Sequence, residues 1–177
     1  MRFLLFSVLV LTLFGCPKST IGDRLFDINY PVLEFTVPAG QSSFRTFVVA
    51  RPEFATGFNQ ALADNGVDVD DIDLVGGVRA RITSISGEDF REIERIELRV
   101  CPASESDCTF IDLMFSISDL GGRRQQVVNL NPGEKNFRSL FLTEENVRME
   151  LVFFPLEVTT RNIDARLEWT IGAIGGL

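Results

Sequence analysis

The sequence predicts an all-β fold: a single antiparallel β-sandwich of Greek-key or jelly-roll type, with about nine strands and one short helix. Three observations predict it. Runs of alternating apolar and polar residues recur along the chain, and in a strand such alternation sends successive side chains to opposite faces. Turn-forming groups, including Pro38-Ala39-Gly40, Gly121-Gly122 and Asn131-Pro132-Gly133, separate these runs at spacings of about ten residues. Finally, 45% of the residues are hydrophobic, ample for one packed core, and no internal repeat or second composition regime suggests another domain. A calycin-like β-barrel also buries one face of every strand and is the alternative.

In chain order, the first strands are expected at residues 32–37 and 44–50. A helix is expected over residues 52–64, where Phe54, Phe58, Ala61 and Leu62 fall at helical spacing, Pro52 and Glu53 open the segment and Asn65-Gly66 closes it. Gly57 weakens this helix by roughly 1 kcal/mol relative to Ala, so it depends on packing its phenylalanine face over one end of the sheet. Strands follow at residues 78–85, 95–101, 110–117, 125–130, 137–142 and 147–154. In the second of these Ile96, Leu98 and Val100 point in, while Arg95, Glu97 and Arg99 point out. Residues 147–154 are apolar on both faces, and an exposed patch there would mark a partner interface. The clearest run is the last: Ile163, Ala165, Leu167, Trp169 and Ile171 share one face and Asp164, Arg166, Glu168 and Thr170 the other, a half-buried antiparallel strand.

Ahead of these elements, Arg2 is followed by an apolar run from Phe3 to Phe14 and then by Gly15, the plan of a secretory signal. The run stops at Cys16-Pro17-Lys18, short of the roughly 20 apolar residues a spanning helix needs. Its end, Leu13-Phe14-Gly15-Cys16, resembles the lipobox of bacterial lipoproteins, with Phe14 bulkier than the residue usual there. The resemblance implies cleavage before Cys16, a signal peptide at residues 1–15, a lipidated tether at 16–22 and a β-sandwich domain at 23–177. It further implies attachment to a membrane through lipid on Cys16. Pro17 is not the Asp that retains such proteins at the inner membrane in some bacteria, so the outer membrane is the expected destination.

Three cysteines leave one over in an exported chain, and lipidation of Cys16 accounts for it. Cys101 and Cys108 bracket a polar turn-like stretch between two strand-like runs, and a disulfide closing that hairpin is the expected outcome in an oxidising compartment. Free core thiols and a C-x6-C metal site are the alternatives.

Charge and composition narrow the functional classes. A net charge of -8 without a basic cluster gives no grip on nucleic acid, and the doublet Arg123-Arg124 after two glycines reads as a solvated turn. The chain has no histidine, which removes the commonest general base and metal ligand together. Carboxylate chemistry remains, with Glu88, Asp89, Glu92, Glu94, Glu97, Glu144 and Glu145 available, but nothing in their spacing singles out a pair, and no catalytic residue is assigned. Asp64, Asp68, Asp70, Asp71 and Asp73 crowd one stretch that could supply Ca2+ with oxygen ligands, although the EF-hand order is not met. Most of these residues are explained separately, as a helix end at Asn65-Gly66 and a helical turn opened by Asp68 and Asp71, with Val69 and Ile72 as its anchors. Trp169 and Tyr30 are the sole Trp and Tyr against sixteen Phe, and Trp169 falls on an apolar strand face, so aromatic residues read as packing.

These features predict a non-enzymatic envelope lipoprotein serving as a structural or protein-binding module, possessing no cofactor beyond a candidate Ca2+. A glycan or small-ligand binding module is the second reading. A glycan-cleaving enzyme is the third.

Overall fold

The computed structural model describes residues 22–176, so the leader, Cys16 and all of the expected tether except Gly22 lie outside the described residues. The strand β9, Ile163–Gly175, organises the rest. Its alternation buries Ile163, Ala165, Leu167, Trp169, Ile171 and Ala173 on one face and leaves Asp164 and Arg166 in water on the other. β1 (Asp23–Asn29) and β2 (Leu33–Val37) pair with it in succession along one edge, and β4 (Leu74–Ser84) pairs along the other, all antiparallel. β7 (Val127–Pro132) follows beside β4 and completes one layer.

The second layer is centred on β8 (Asn146–Pro155), flanked by β3 (Phe47–Ala55) and by β5 (Ile93–Pro102), with β6 (Leu113–Ile117) beyond β5. The order β1-β9-β4-β7 in one layer and β6-β5-β8-β3 in the other is that of a jelly roll, with β2 sharing the place of β1. The layers are joined at β6 and β7 through two residue pairs, Phe115↔Pro132 and Ser116↔Asn131, and the β3 edge is not paired with β1 or β2. The sheet is therefore curled into a sandwich and not closed as a barrel. Pro52 and a bulge between Arg51 and Phe54 interrupt the β3 edge, a device that blunts pairing with other chains.

Inward side chains of both layers form one core, with Phe115, Phe153, Ile82, Ile96 and Leu98 fully buried. Two short helices close one end. α1 (Phe58–Asn65) buries Phe58 and Leu62, and α2 (Arg138–Thr143) buries Phe141. The Phe58 ring lies 5.5 Å from Phe26 and 5.7 Å from Phe141, so an aromatic cluster seals the core where the strands stop.

Four elements depart from expectation. The helix expected at residues 52–64 begins at Phe58, because β3 keeps its pairing with β8 as far as Ala55↔Asn146. Gly57, at φ 61°, turns the chain out of the strand and makes the helix start possible there. The strand expected at residues 137–142 is α2: the Asn136 side-chain oxygen accepts the N–H of Arg138, and Phe137 and Phe141 meet the core at helical spacing. The run at residues 110–117 starts with a helical turn, Phe110–Asp112, closed by a reciprocal Thr109–Asp112 capping box, and becomes strand only at Leu113. β1 was not anticipated, since DRLFDIN is mostly polar and buries fully only Phe26.

Candidate functional site

Because β9 runs the length of the sandwich, its two ends define two poles separated by about 40 Å at 3.3 Å per residue. Gly175 pairs with Asp23, so the N-terminal segment enters at the pole closed by α1 and α2. Ile163 pairs with Val37 at the opposite pole, where the loops β2–β3, β4–β5, β6–β7 and β8–β9 gather.

The four loops are knitted into a platform. Thr159 is 2% exposed; its hydroxyl donates to the Pro38 carbonyl at 2.9 Å and accepts from the Gln41 N–H at 2.8 Å. Backbone bonds from Gly40 N to Thr159 O (2.7 Å) and from Thr159 N to Gln41 O (3.1 Å) double this link. Glu92 is buried, and its carboxylate accepts the backbone N–H of Thr160 at 2.8 Å and the Thr160 hydroxyl at 2.5 Å, tying β4–β5 to β8–β9. Arg161 pairs with Glu88 at 2.6 Å, and that hydrogen bond and charge raise the guanidinium above its ordinary pKa. The β6–β7 loop is held by Leu120 N to Glu94 O and Gly122 N to Arg91 O. Backbone polar groups that would otherwise need water are thus satisfied within the platform.

On this framework stand apolar side chains that nothing covers. Phe44 is 94% exposed, Val158 55%, Ile85 52% and Leu156 47%. Phe44 also rims a shallow depression of about 160 Å³ floored by Phe154 and Pro155. Exposed aromatic and aliphatic groups on a rigid polar framework have the make-up of a protein-binding surface. The sequence reading missed these residues: it placed Phe44 and Ile85 in strands, although Gln41-Ser42-Ser43 just before Phe44 is a turn-forming stretch.

The anticipated site residues lie elsewhere. Cys101 and Cys108 are brought to disulfide distance, with Sγ atoms 2.06 Å and Cα atoms 5.5 Å apart, and draw the β5–β6 loop over the outer face of the second layer. There Glu97 and Glu150 are 6% and 3% exposed on a sheet face that sequence alternation assigns to water. Arg99 and Arg95 hold Glu97; Arg148 Nε donates to Glu150 at 2.6 Å, and the Cys108 N–H donates to the same carboxylate at 3.2 Å. Val152 is 2% exposed on this face, and the Arg95 guanidinium lies 3.7 Å over the Phe154 ring, so residues 147–154 present no open apolar patch.

Four of the seven carboxylates offered for glycosidic chemistry are already engaged: Glu88 with Arg161, Asp89 with Arg91, Glu92 with Thr160 and Glu97 with its arginines. Glu94 is exposed at the platform edge, while the Glu144 and Glu145 carbonyls accept from the Thr56 hydroxyl. The five aspartates are not gathered. Asp64 takes a hydrogen bond from Gln60 on α1, Asp70 and Asp71 belong to a helical turn, Val69–Asp71, that follows Asp68, and the Asp73 carbonyl accepts from Asn136. Among the described residues no three His, Cys, Asp or Glu side chains form a metal-holding group. The turn opens at Asp68 without a side-chain cap, and Ile72 anchors it while Val69 is exposed. Trp169 is core, as its alternation indicates, stacked at 4.2 Å on half-buried Tyr30, whose hydroxyl donates to the Thr56 carbonyl; burial pushes the phenol pKa up. In the doublet, Arg123 pairs with Asp119 across a turn.

Among the described residues no helix is long and apolar enough to cross a membrane. No known family model and no curated protein matches the sequence. Solved structures with a similar course of chain include one from Cocksfoot mottle virus (14% identity, TM-score 0.30, covering 100% of this chain and 97% of that one). Another is from a full particle of Israeli acute paralysis virus (9% identity, TM-score 0.32, covering 100% and 87%). A third is from a nodavirus of the giant freshwater prawn Macrobrachium rosenbergii (10% identity, TM-score 0.24, covering 99% and 96%). Likeness at this level carries nothing about function.

Proposed function

We propose that the chain is a non-enzymatic lipoprotein of the cell envelope, anchored through Cys16 in the outer membrane, that presents a jelly-roll domain to a protein partner. The observation that carries the reading is polarity. The chain enters at the helical pole, where Phe110 and Ile111 are also uncovered and would face the bilayer, and the uncovered apolar groups of the platform stand at the other pole, roughly 40 Å away. A lipid on Cys16 and a short tether would hold the helical pole toward the bilayer and turn Phe44, Ile85, Leu156 and Val158 outward. The hydrogen bonding among the loops supports this use, because a surface already fixed before contact loses little conformational entropy on binding. Phe44 is the natural anchor, since aromatic groups that bury fully on association carry a large share of binding energy.

The test has two arms. Cys16→Ala is expected to release the protein from membranes, and persistent retention of that variant counts against the lipid anchor. A photo-crosslinking residue at position 44 or 158, used in intact envelopes, is expected to yield one discrete protein adduct that Phe44→Asp weakens in competition. Equal adducts from position 51 on the β3 edge would refute the platform as the contact face.

A further inference from the structure

A second site lies on the outer face of the β1-β9-β4-β7 layer and owes its existence to the way two strands share β9. β1 leaves β9 at Asn29↔Thr170 and β2 joins it at Leu33↔Leu167, so the connector Tyr30-Pro31-Val32 spans the interval without strand pairing. Opposite the connector, β4 places Arg79 across from Thr170 and Arg81 across from Glu168, just beyond a bulge between Gly77 and Arg79. The result is a depression of about 320 Å³ with the connector as one wall, the two arginines as the other and Glu168 and Thr170 in its floor.

Two arginines without an ion pair among the described residues meet in this concavity, whereas the other arginines of that kind, such as Arg45, Arg51, Arg124 and Arg166, line no part of it. Eight acid–base pairs bind arginine or lysine to carboxylate among the described residues, yet neither Arg79 nor Arg81 belongs to one. Glu168, directly across the ladder from Arg81, does not close on it either. The Thr170 hydroxyl is already committed, donating to Asn29 Oδ1 at 2.8 Å, which fixes the Asn29 amide at the rim with no acceptor for its N–H groups among the described residues. Two guanidinium forks and an amide donor beside one acceptor carboxylate make a concave polar site with a net positive charge inside a chain of net charge -8. Over distances beyond the Debye length of about 8–10 Å, salt removes the repulsion of the remaining acidic surface, and the local arginines decide which sign is attracted.

We infer that this depression binds a carboxylate-bearing sugar, a uronic-acid type of ligand, as a site separate from the loop platform. A planar carboxylate matches the paired N–H donors of a guanidinium, and Glu168 repels a singly charged carboxylate less than a doubly charged phosphate while accepting from sugar hydroxyls. The volume holds about one such ring. The inference does not depend on the lipid anchor or on the protein partner.

The full-length protein, purified in detergent, is titrated with D-glucuronate, D-glucose, acetate and inorganic phosphate by calorimetry. Fluorescence of Trp169, which contributes to the lining and is the only tryptophan, is followed in parallel. Glucuronate is expected to bind saturably and more tightly than the other three, to weaken with added salt, and to weaken by at least roughly tenfold in Arg81→Gln and Arg79→Gln. Arg45→Gln, a surface arginine on the platform, is expected to bind as the unaltered protein does. Absence of saturable glucuronate binding, equal affinity for glucose or phosphate, or full affinity in the Arg79→Gln and Arg81→Gln variants with unchanged melting temperature would each overturn the assignment.

Discussion

Replacing Thr159 by Val tests whether the platform is held by its hydrogen bonds or merely by the strands beneath it. The two side chains have nearly the same shape, so the substitution leaves no cavity and removes only the hydroxyl. That hydroxyl serves the Pro38 carbonyl and the Gln41 N–H at 2.9 and 2.8 Å from a side chain 2% exposed to water. A hydrogen bond contributes about 0.5–1.5 kcal/mol net, and a buried group left without a partner costs about 1–3 kcal/mol, so loss of both bonds is expected to destabilise by about 3 kcal/mol. For a domain of this size each kcal/mol moves the melting temperature by about 2–4 °C, giving a fall of about 6–12 °C. Thermal unfolding followed by circular dichroism reads the shift, and amide exchange at Gln41 and Gly40 shows whether the loop opens first. Thr159→Ser, which keeps the hydroxyl, is expected to recover most of the loss. A Val variant melting within roughly 2 °C of the parent, with the exchange of Gln41 unchanged, would refute the view that Thr159 pins the platform.

Two further outcomes follow from the opposite pole. The loop closed by Cys101 and Cys108 is short, with a sequence separation of 7, and the chain-entropy estimate for it is about 2.5 kcal/mol. Cys101→Ser/Cys108→Ser is therefore expected to lose about that much stability in denaturant titration, and alkylation without reductant to leave both residues unlabelled; labelling of both in the native, unreduced protein would remove the bridge. Burial raises the pKa of Asp112, but hydrogen bonds from Lys135 Nζ and from the Thr109 N–H and hydroxyl, each at 2.8 Å, outweigh it and hold the carboxyl below its ordinary value. A lowered folded-state pKa stabilises above the unfolded value of about 4, and the contribution disappears as pH falls through the folded value. Asp112→Asn is accordingly expected to be less stable than the parent at pH 7, with the difference shrinking steadily in acid; a gap independent of pH between neutrality and strong acid would contradict the ion-pair account.

Local alternation made the sandwich legible because strands buried on one face print that burial directly into sequence: β9, β5 and β4 could be placed to within a few residues. Where two rules compete, local reading failed. Phe137-Arg138-Ser139-Leu140-Phe141-Leu142 satisfies both a strand and a helix, and the deciding factor, the Asn136 side chain bonded to Arg138 and to Val75 sixty-one residues away, is not local. Pro52 and Glu53 resemble a helix start, but pairing with β8 outbid that propensity, since tertiary context overrides weak local preference. The cysteine pair was legible from parity and spacing alone. The platform was not, because Phe44 and Ile85 look like strand residues until the register with β8 and β9 shows that each strand has already ended or not begun. The open arginines were hidden for a similar reason: Arg81 stands directly across β9 from Glu168 and yet does not close on it, and neither the juxtaposition nor the concavity beside it is supplied by a linear reading.

The position of β9 in the sheet also fixes the order in which the fold can be completed. β1, β2 and one edge of β4 all wait for residues 163–175, which lie C-terminal to every strand they pair with. During synthesis, or during passage through a pore from the N-terminus, one layer therefore has no centre until this strand emerges, while β3, β5, β6 and β8 can already associate. A chain built this way stays incompletely folded for as long as it is being threaded, and its edge strands are most vulnerable to wrong partners in that interval. Once β9 lies between β1/β2 and β4, the β8–β9 loop that leads into it is in place to tie the platform together through Thr159 and Thr160.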